Sequence, residues 1–484
     1  MRHRGFLALM TAILSLSIAC SDMLGKYDDE VTPSGGFTIN DGAAKTISRA
    51  VTLSMDIQNA TEMRFSNDGA VWSEWEPYAA SKLWDLALGP QLQTVRGEFK
   101  SKEGNTLSAS DNIDPFIEEK IVASILTPSS YFGGGHWNFT AANVALSHDG
   151  KTLIAASFPN SKVFAYKWVN NQWNETIVVS PHASPIAFGN SIDCTPDGKT
   201  SIIGAINNAE AYLFSWDGSS YVYQKTFTSP TPAVTNDYAV TVAISDNAER
   251  VAIGSWHNLN MGAVYLYDKN GGSWNETKFI DPEIVDGNVF GLGVNISGNG
   301  NTIVVGSPSK DNRKGALYIY RWENNNWNMV KISTKDGVND DLLGRQLGIS
   351  YNGNRIIAGM RIASAGNLNQ GAAYIFDWNG SAWMETKLMA ADGYANDKFG
   401  FCVSMNSDGN TVAVSAPGPQ TGALGKAYIY RFNGTIWNEE KIMSASDGTT
   451  GDFYGNLVSI SGDGSTIAVG APMRESNRGA VYVY

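Results

Sequence analysis

One phrase recurs along the chain: "ISGNGNTIVVGSP" (296–308), "MNSDGNTVAVSAP" (405–417) and "ISGDGSTIAVGAP" (460–472). Anchored on the glycine of the last phrase's Gly-Asp-Gly, the equivalent positions are Gly150, Gly198, Ala248, Gly300, Gly353, Gly409 and Gly464, spaced 48, 50, 52, 53, 56 and 55 residues apart. An array of about fifty-residue units must fold as stacked copies of one supersecondary motif, and this period fits a propeller blade.

Each unit reads as four short strands. An apolar alternating run precedes the anchor, as in "NLVSIS" (456–461), and a second follows it, as in "STIAVGAP" (465–472). An aromatic run comes third ("LYIYRW", "AYIFDW", "AYIYRF"), then an Asn/Gly turn and a Trp-led fourth strand ("WNMVK", "WMETK", "WNEEK"). Period-two alternation rich in Val, Ile and Tyr is a strand pattern. Asn-Gly or Asp-Gly between such runs is a hairpin turn in which Gly supplies positive φ.

The seventh unit stops at "VYVY" and lacks its Trp-led strand. Upstream, "FIEEKIVAS" (116–124) matches "WNEEKIMSAS" (437–446): Phe116 falls on Trp437, and Glu118-Glu119-Lys120-Ile121 repeats Glu439-Glu440-Lys441-Ile442. This segment supplies the missing strand, which closes the ring and removes its open edges. The expected fold is all-β: a seven-bladed β-propeller of four-stranded blades over 114–484, closed by an N-terminal strand and preceded by a small β-sandwich.

The units resemble FG-GAP repeats, the blades of integrin α-subunit propellers and many bacterial surface proteins. The Phe-Gly element stands at Phe188-Gly189, Phe290-Gly291 and Phe399-Gly400, varied as Leu343-Gly344 and Tyr454-Gly455. The Gly-Ala-Pro element stands at Gly470-Ala471-Pro472 and nearly so at Gly306-Ser307-Pro308 and Ser415-Ala416-Pro417. The resemblance implies a propeller and says little of function, since propellers host many activities.

Residues 36–113 follow another pattern. Alternating segments (Val51–Ile57, Glu62–Ser66, Thr94–Lys100) separated by turns such as "SNDG" and "SKEGN" read as a β-sandwich. It resembles the immunoglobulin-like modules of bacterial surface proteins. Trp75, Tyr78 and Trp84 are expected as core or corner aromatics, and Asn112–Pro115 as a short linker.

The first twenty residues begin with Arg2 and Arg4 and carry an apolar run from Phe6 to Ile18, the length of a signal-peptide core. They end Ser17-Ile18-Ala19-Cys20, which resembles a bacterial lipobox with Ser17 where Leu is usual. The resemblance implies a signal peptide over 1–19, lipidation of Cys20, an anchor and linker over 20–35, and a place in the bacterial cell envelope, at the outer membrane or cell surface. No later stretch is apolar enough for a membrane span. Cys194 and Cys402 are expected as free thiols.

Asp+Glu outnumber Lys+Arg, 47 to 35, for a net charge of −12. With no basic cluster, a nucleic-acid partner is excluded. Integrin-type calcium loops converge several carboxylates, as calcium requires. Here the equivalent turns offer Asp149, Asp197, Asp408 or Asp463 singly, or Asn299 and Asn352 with no acid. Asp and Asn interchange as a turn allows, so turn chemistry is preferred to calcium and no cofactor is expected.

A second acidic pattern precedes the Phe-Gly element: Asp336/Asp341, Asp392/Asp397 and Asp447/Asp452, each pair five apart. Asx turns account for these loops; a weak divalent-cation site in each is the sharper alternative. The loops between second and third strands vary most, which fits a scaffold presenting a binding face. Trp256, Arg313, Arg361 and Arg474 are the expected contacts to a protein or glycan partner.

No residue set has catalytic spacing, and HExxH, GxSxG and phosphate loops are absent. A monomeric binding or adhesion protein ranks first. A carbohydrate-active or other enzyme using loop carboxylates ranks second, and would be favoured by a carboxylate pair with raised pKa values in the central depression. A purely structural surface protein ranks third.

Overall fold

The computed structural model describes residues 32–39, 45–46, 50–67, 69–86, 93–115, 118–121, 144–157, 161–170, 172–183, 187–231, 237–256, 262–283, 289–362, 370–418, 424–474 and 479–484. Two compact units are formed. Cys20, the expected signal segment and Phe116 lie outside the described residues. Among those described, no helix is long and apolar enough to cross a membrane.

Ahead of the propeller sheets in the chain come a three-stranded sheet (Ser34–Ile39, Ala50–Gln58, Ser81–Asp85) and a five-stranded sheet built around Glu62–Ser66, Gln93–Lys100 and Thr106–Pro115. Phe37 of the first meets Phe65 and Phe99 of the second, with ring centroids 5.7 and 6.1 Å apart. Tyr78 acts as a corner, accepting from the Ile57 N–H and packing on Phe99. Trp75 is half-buried and lies under the cations of Arg64 and Lys100. The expected linker Asn112–Pro115 is instead strand, because Asp114 and Pro115 pair in parallel with Lys45 and Thr46.

The second unit holds seven four-stranded antiparallel sheets, six of them meanders in chain order. Blade 4 is typical: Gly293–Ile296 innermost, then Thr302–Ser307, Ala316–Glu323 and Asn326–Ile332. Blade 7 combines Leu457–Ile460, Ile467–Ala471 and Ala480–Val483 with the N-terminal strand Glu119–Ile121. The closing register is Val481↔Ile121, Tyr482↔Lys120, Val483↔Glu119. Lys120 thereby takes the ladder place of Lys331 and Lys387, opposite Tyr318 and Tyr374 in their blades. In blade 6 a bulge moves Lys441 off that place, so the matched sequences are offset by one in register.

The two repeat elements turn out to be contact partners. The Phe of each Phe-Gly is fully buried against the third-strand Tyr of its own blade: Phe290 on Tyr318 and Phe399 on Tyr428, both at 5.2 Å. The following Gly344 lies across Gly306 of the preceding blade's Gly-Ser-Pro so closely that a Cβ on Gly306 would collide with the Gly344 carbonyl. The outer Trp residues are staples: Arg250 of blade 3 stacks on Trp322 and Trp327 of blade 4, and Arg355 of blade 5 on Phe432 and Trp437 of blade 6.

A meander of this kind puts the first-to-second and third-to-fourth strand turns on one face, the turn face. The second-to-third strand loops and the inter-blade loops lie on the other, the loop face.

Candidate functional site

At the turn face the Asp-Gly and Asn-Gly positions behave alike. Ser461 Oγ donates to Asp463 at 2.6 Å and Ser297 Oγ donates to Asn299 at 2.7 Å, while the N–H two residues on donates to the same oxygen at 2.9 Å in each. Backbone bonds then run from blade to blade around the axis: His148 donates to Pro196, Asp246 to Gly298, Asn299 to Tyr351, Tyr351 to Ser407, Ser407 to Gly462, and Asp463 to His148. The oxygen a cation would need is an acceptor in a turn, and an amide serves there as well as a carboxylate.

The inter-blade acids divide their labour. The first of each pair sits against a tyrosine and a lysine: Asp336 with Tyr374 and Lys387 (both 2.7 Å), Asp392 with Tyr428 (2.8 Å) and Lys426, Asp447 with Tyr482 (2.7 Å), Lys120 (2.8 Å) and Arg474 (2.9 Å). Lys120, with Tyr482 and Arg474, holds Asp447 far below the usual carboxylate range against the effect of burial. The second acid caps its own loop, Asp341 on the Val338 N–H, Asp397 on Tyr394 and Asp452 on Thr449, at 2.6–2.7 Å. Among the described residues no three Asp, Glu, His or Cys are gathered as metal ligands. Blade 4 has a fourth such acid that the spacing concealed: Asp281, bound by Tyr318 (2.9 Å) and the buried Lys310 (3.0 Å).

An axial cavity of about 210 Å³ runs between the innermost strands. Asp193 and Asp246 both line it. Desolvation pushes Asp193 up to about 7, although it accepts from the Cys194 and Ile244 N–H groups at 2.9 Å. Burial also raises Asp246, opposed by His148. Asp193 has structural counterparts: Asn295 stands in the same place in blade 4, accepting from Ile296, and Ser404 in blade 6, accepting from Ile460. Cys194 and Cys402 are free thiols, Cys402 pushed up to about 11 by burial.

The loop face is uneven. Three positions recur there: the residue before Phe-Gly, the residue after it, and the residue after the second strand. In blades 2 to 4 they supply an apolar cap of Ala187, Ile206, Val240, Trp256 and Val289, with Leu292 against it. In blades 5 and 6 the same three positions carry Arg345 after Leu343-Gly344, Arg361 after the second strand, and Lys398 before Phe399-Gly400. Arg361 stacks on Phe401 at 5.5 Å, and its buried Nε has no hydrogen-bond partner. Burial, then the charge of Arg361, depresses Arg345 to about 9 and lowers Lys398. Arg361 is itself lowered by burial and by Arg313.

The four expected partner contacts therefore separate. Trp256 is only 8% exposed and belongs to the apolar cap, so the surface reading of it does not fit. Arg474 is committed to Asp447 and Asp452. Arg313 is exposed, in a left-handed conformation (φ 65°), and pairs with Asp340 at 2.7 Å. Arg361 remains, with Arg345 and Lys398 as additions. Their signal lay in the repeat alignment: each is the one cation at a position where the other described blades carry none.

A ring of seven four-stranded sheets, with glycine packed on glycine between blades 3 and 4, 4 and 5, and 5 and 6, is a β-propeller. The family model described as FG-GAP repeat matches residues 383–430 and 437–484. Each match begins on the outer strand of one blade and runs through three strands of the next, so the sequence unit is offset by one strand from the blade. Among solved structures, Kuenenia stuttgartiensis hydrazine synthase is similar at 12% identity over 73% of this chain and 98% of that one, with a TM-score of 0.51. The Cps50 (Swd1) β-propeller domain of Myceliophteria thermophila is similar at 11% identity over 76% and 99%, with a TM-score of 0.50. These likenesses are of fold. No curated protein matches the sequence.

Proposed function

We propose that this chain is an exported, lipid-anchored binding protein of the bacterial envelope that presents the loop face of its propeller to a protein or glycan partner. The observation that carries the reading is the sector at blades 5 and 6, where three of these loop-face positions hold a cation and none of the equivalent positions in blades 2 to 4 does. A residue that breaks a repeat at a cost in packing marks function more often than architecture. The anchor rests on the lipobox-like sequence ending at Cys20.

The test is the mature chain probed on glycan and peptide arrays beside its Arg361→Ile variant. Retention of defined ligands by the parent and their loss in the variant supports the reading. A parent that retains none overturns it.

A second reading, an enzyme, is favoured by one observation: Asp193 and Asp246 line the axial cavity with raised pKa values. Turnover on a glycoside panel that disappears in Asp193→Asn would establish it; Asn295 and Ser404 in the same role weigh towards structure.

A further inference from the structure

We propose that the third-to-fourth strand turns of blades 3, 5 and 6 are sites of spontaneous deamidation, at Asn270-Gly271, Asn379-Gly380 and Asn433-Gly434, and that the fold protects the two other Asn-Gly pairs of the chain. These turns lie on the turn face, away from the loop face that the binding reading invokes.

The sequence holds five Asn-Gly dipeptides: these three, and Asn299-Gly300 and Asn352-Gly353 in the first-to-second strand turns of blades 4 and 5. Deamidation begins when the backbone nitrogen of the following residue gives up its proton and attacks the asparagine Cγ. A C–N bond forms, the side-chain nitrogen leaves as ammonia, and a five-membered succinimide results. Water then adds to one of the two ring carbonyls and reopens the ring, leaving aspartate or isoaspartate. Water is the only co-reactant. Glycine favours the step because no Cβ obstructs the attacking nitrogen and its backbone is the least restricted.

All five asparagines are exposed, so their exposure does not distinguish them. The glycines do. Gly300 and Gly353 are buried, and their N–H groups donate to the Ser297 and Ser350 carbonyls at 2.7 and 2.9 Å. Their own carbonyls accept from Arg250 and Arg321 of the preceding blade. The attacking nitrogen is thus tied at both of these turns, and freeing it breaks a turn bond and loosens an inter-blade staple. Gly271, Gly380 and Gly434 are exposed, and their N–H groups donate to nothing among the described residues. A methyl group built on any of the three would meet no atom within 4 Å.

In two of the open turns the carbonyl under attack is prepared as well. Asn379 Oδ1 accepts from the Ser381 and Ala382 N–H groups at 2.9 and 2.8 Å and from Ser381 Oγ at 3.0 Å. Asn433 Oδ1 accepts from the Thr435 and Ile436 N–H groups, both at 3.0 Å. Such donors polarise the carbonyl and remain in place for the negative charge that the oxygen takes on during attack. Blade 2 displays the aspartate product: Asp217 holds the same turn position, accepting from the Ser219 and Ser220 N–H groups at 2.8 Å each and from Ser219 Oγ at 2.9 Å. Conversion to aspartate therefore leaves the turn bonds intact and adds one negative charge to the turn face at each site.

The test is peptide mapping by mass spectrometry of the full chain after incubation at mildly alkaline pH, folded and in urea. In the folded protein, conversion of amide to acid at least tenfold faster at Asn270, Asn379 and Asn433 than at Asn299 and Asn352, with the five rates converging in urea, supports the proposal. Folded-state conversion of Asn299 or Asn352 as fast as the other three overturns it. So does a difference that persists in urea, since the fold would not be its cause, and so does the absence of conversion at all five sites while the unfolded chain reacts.

Discussion

Blades 2 to 4 and blades 5 and 6 present three equivalent positions to the loop face, and the first group holds no cation there while the second holds three. In the first group Trp256, Ile206 and Val240 close over the face as an apolar cap; in the second Arg345, Arg361 and Lys398 stand at equivalent repeat positions. Since the four-stranded sheet is common to both groups, and Ala187 and Val289 are left-handed like Leu342 and Lys398, a cation is not a need of the frame. A repeat protein thus carries its own reference state, against which a locally unfavourable substitution stands out.

The comparison depends first on the ring being closed. Removing 116–124 takes away the strand that pairs with Val481–Val483 and exposes the edge of blade 7. The expected result is the largest effect of any change here: loss of cooperative melting or aggregation, read by calorimetry and size-exclusion chromatography. A truncated chain melting like the parent would remove the closed frame from the account.

Trp256→Ala breaks the apolar side of the comparison. A buried Trp truncated to Ala costs roughly 3–5 kcal/mol, so urea unfolding is expected to shift by that much. Asp193→Asn addresses the axial cavity that both sectors share. Its carboxyl is raised to about 7 from an ordinary 3.8, so its contribution is present in full below the unfolded value and is lost as pH rises through the folded one. Asn stays neutral throughout, so the variant is expected to gain on the order of 1–3 kcal/mol relative to the parent by pH 8, with the gain vanishing near pH 4. A constant difference across that range would show that Asp193 titrates normally.

The smallest change tests the reasoning from repeats itself. Ala248 occupies the turn position held by glycine in the other six blades, at φ 56°. Ala248→Gly is expected to stabilise by about 1 kcal/mol, the cost of a left-handed non-glycine residue. Destabilisation would mean that departures from the repeat cannot be read as local costs.

Much of this frame is legible in the sequence because it is short-range and repeated. The anchor spacing yields seven blades, and the match of Glu118–Ile121 to Glu439–Ile442 yields the closing strand before any coordinate is known. Turn chemistry is legible for the same reason, since Ser461, Asp463 and Ser465 complete their hydrogen bonds within five residues. Long-range pairings are not. Asp336 and Asp341 share a loop, but their partners differ: Tyr374 lies 38 residues away on a third strand, while Val338 is in the loop itself. Trp256 reads as surface because it follows a strand at the mouth of a variable loop, and only the packing of Ile206 and Val289 around it reveals burial. Arg345 and Lys398 become neighbours of Arg361 only once blades 5 and 6 are docked.

The central claim, that blades 5 and 6 hold an unfavourable arrangement kept for a ligand, is tested most directly by urea unfolding of the parent and of Arg361→Ile/Lys398→Leu at low ionic strength without added anion. The account predicts that the double variant is the more stable protein, by roughly 0.5–2 kcal/mol, with the difference shrinking as salt screens the parent's charges. A double variant less stable than the parent, by an amount indifferent to salt, would contradict it.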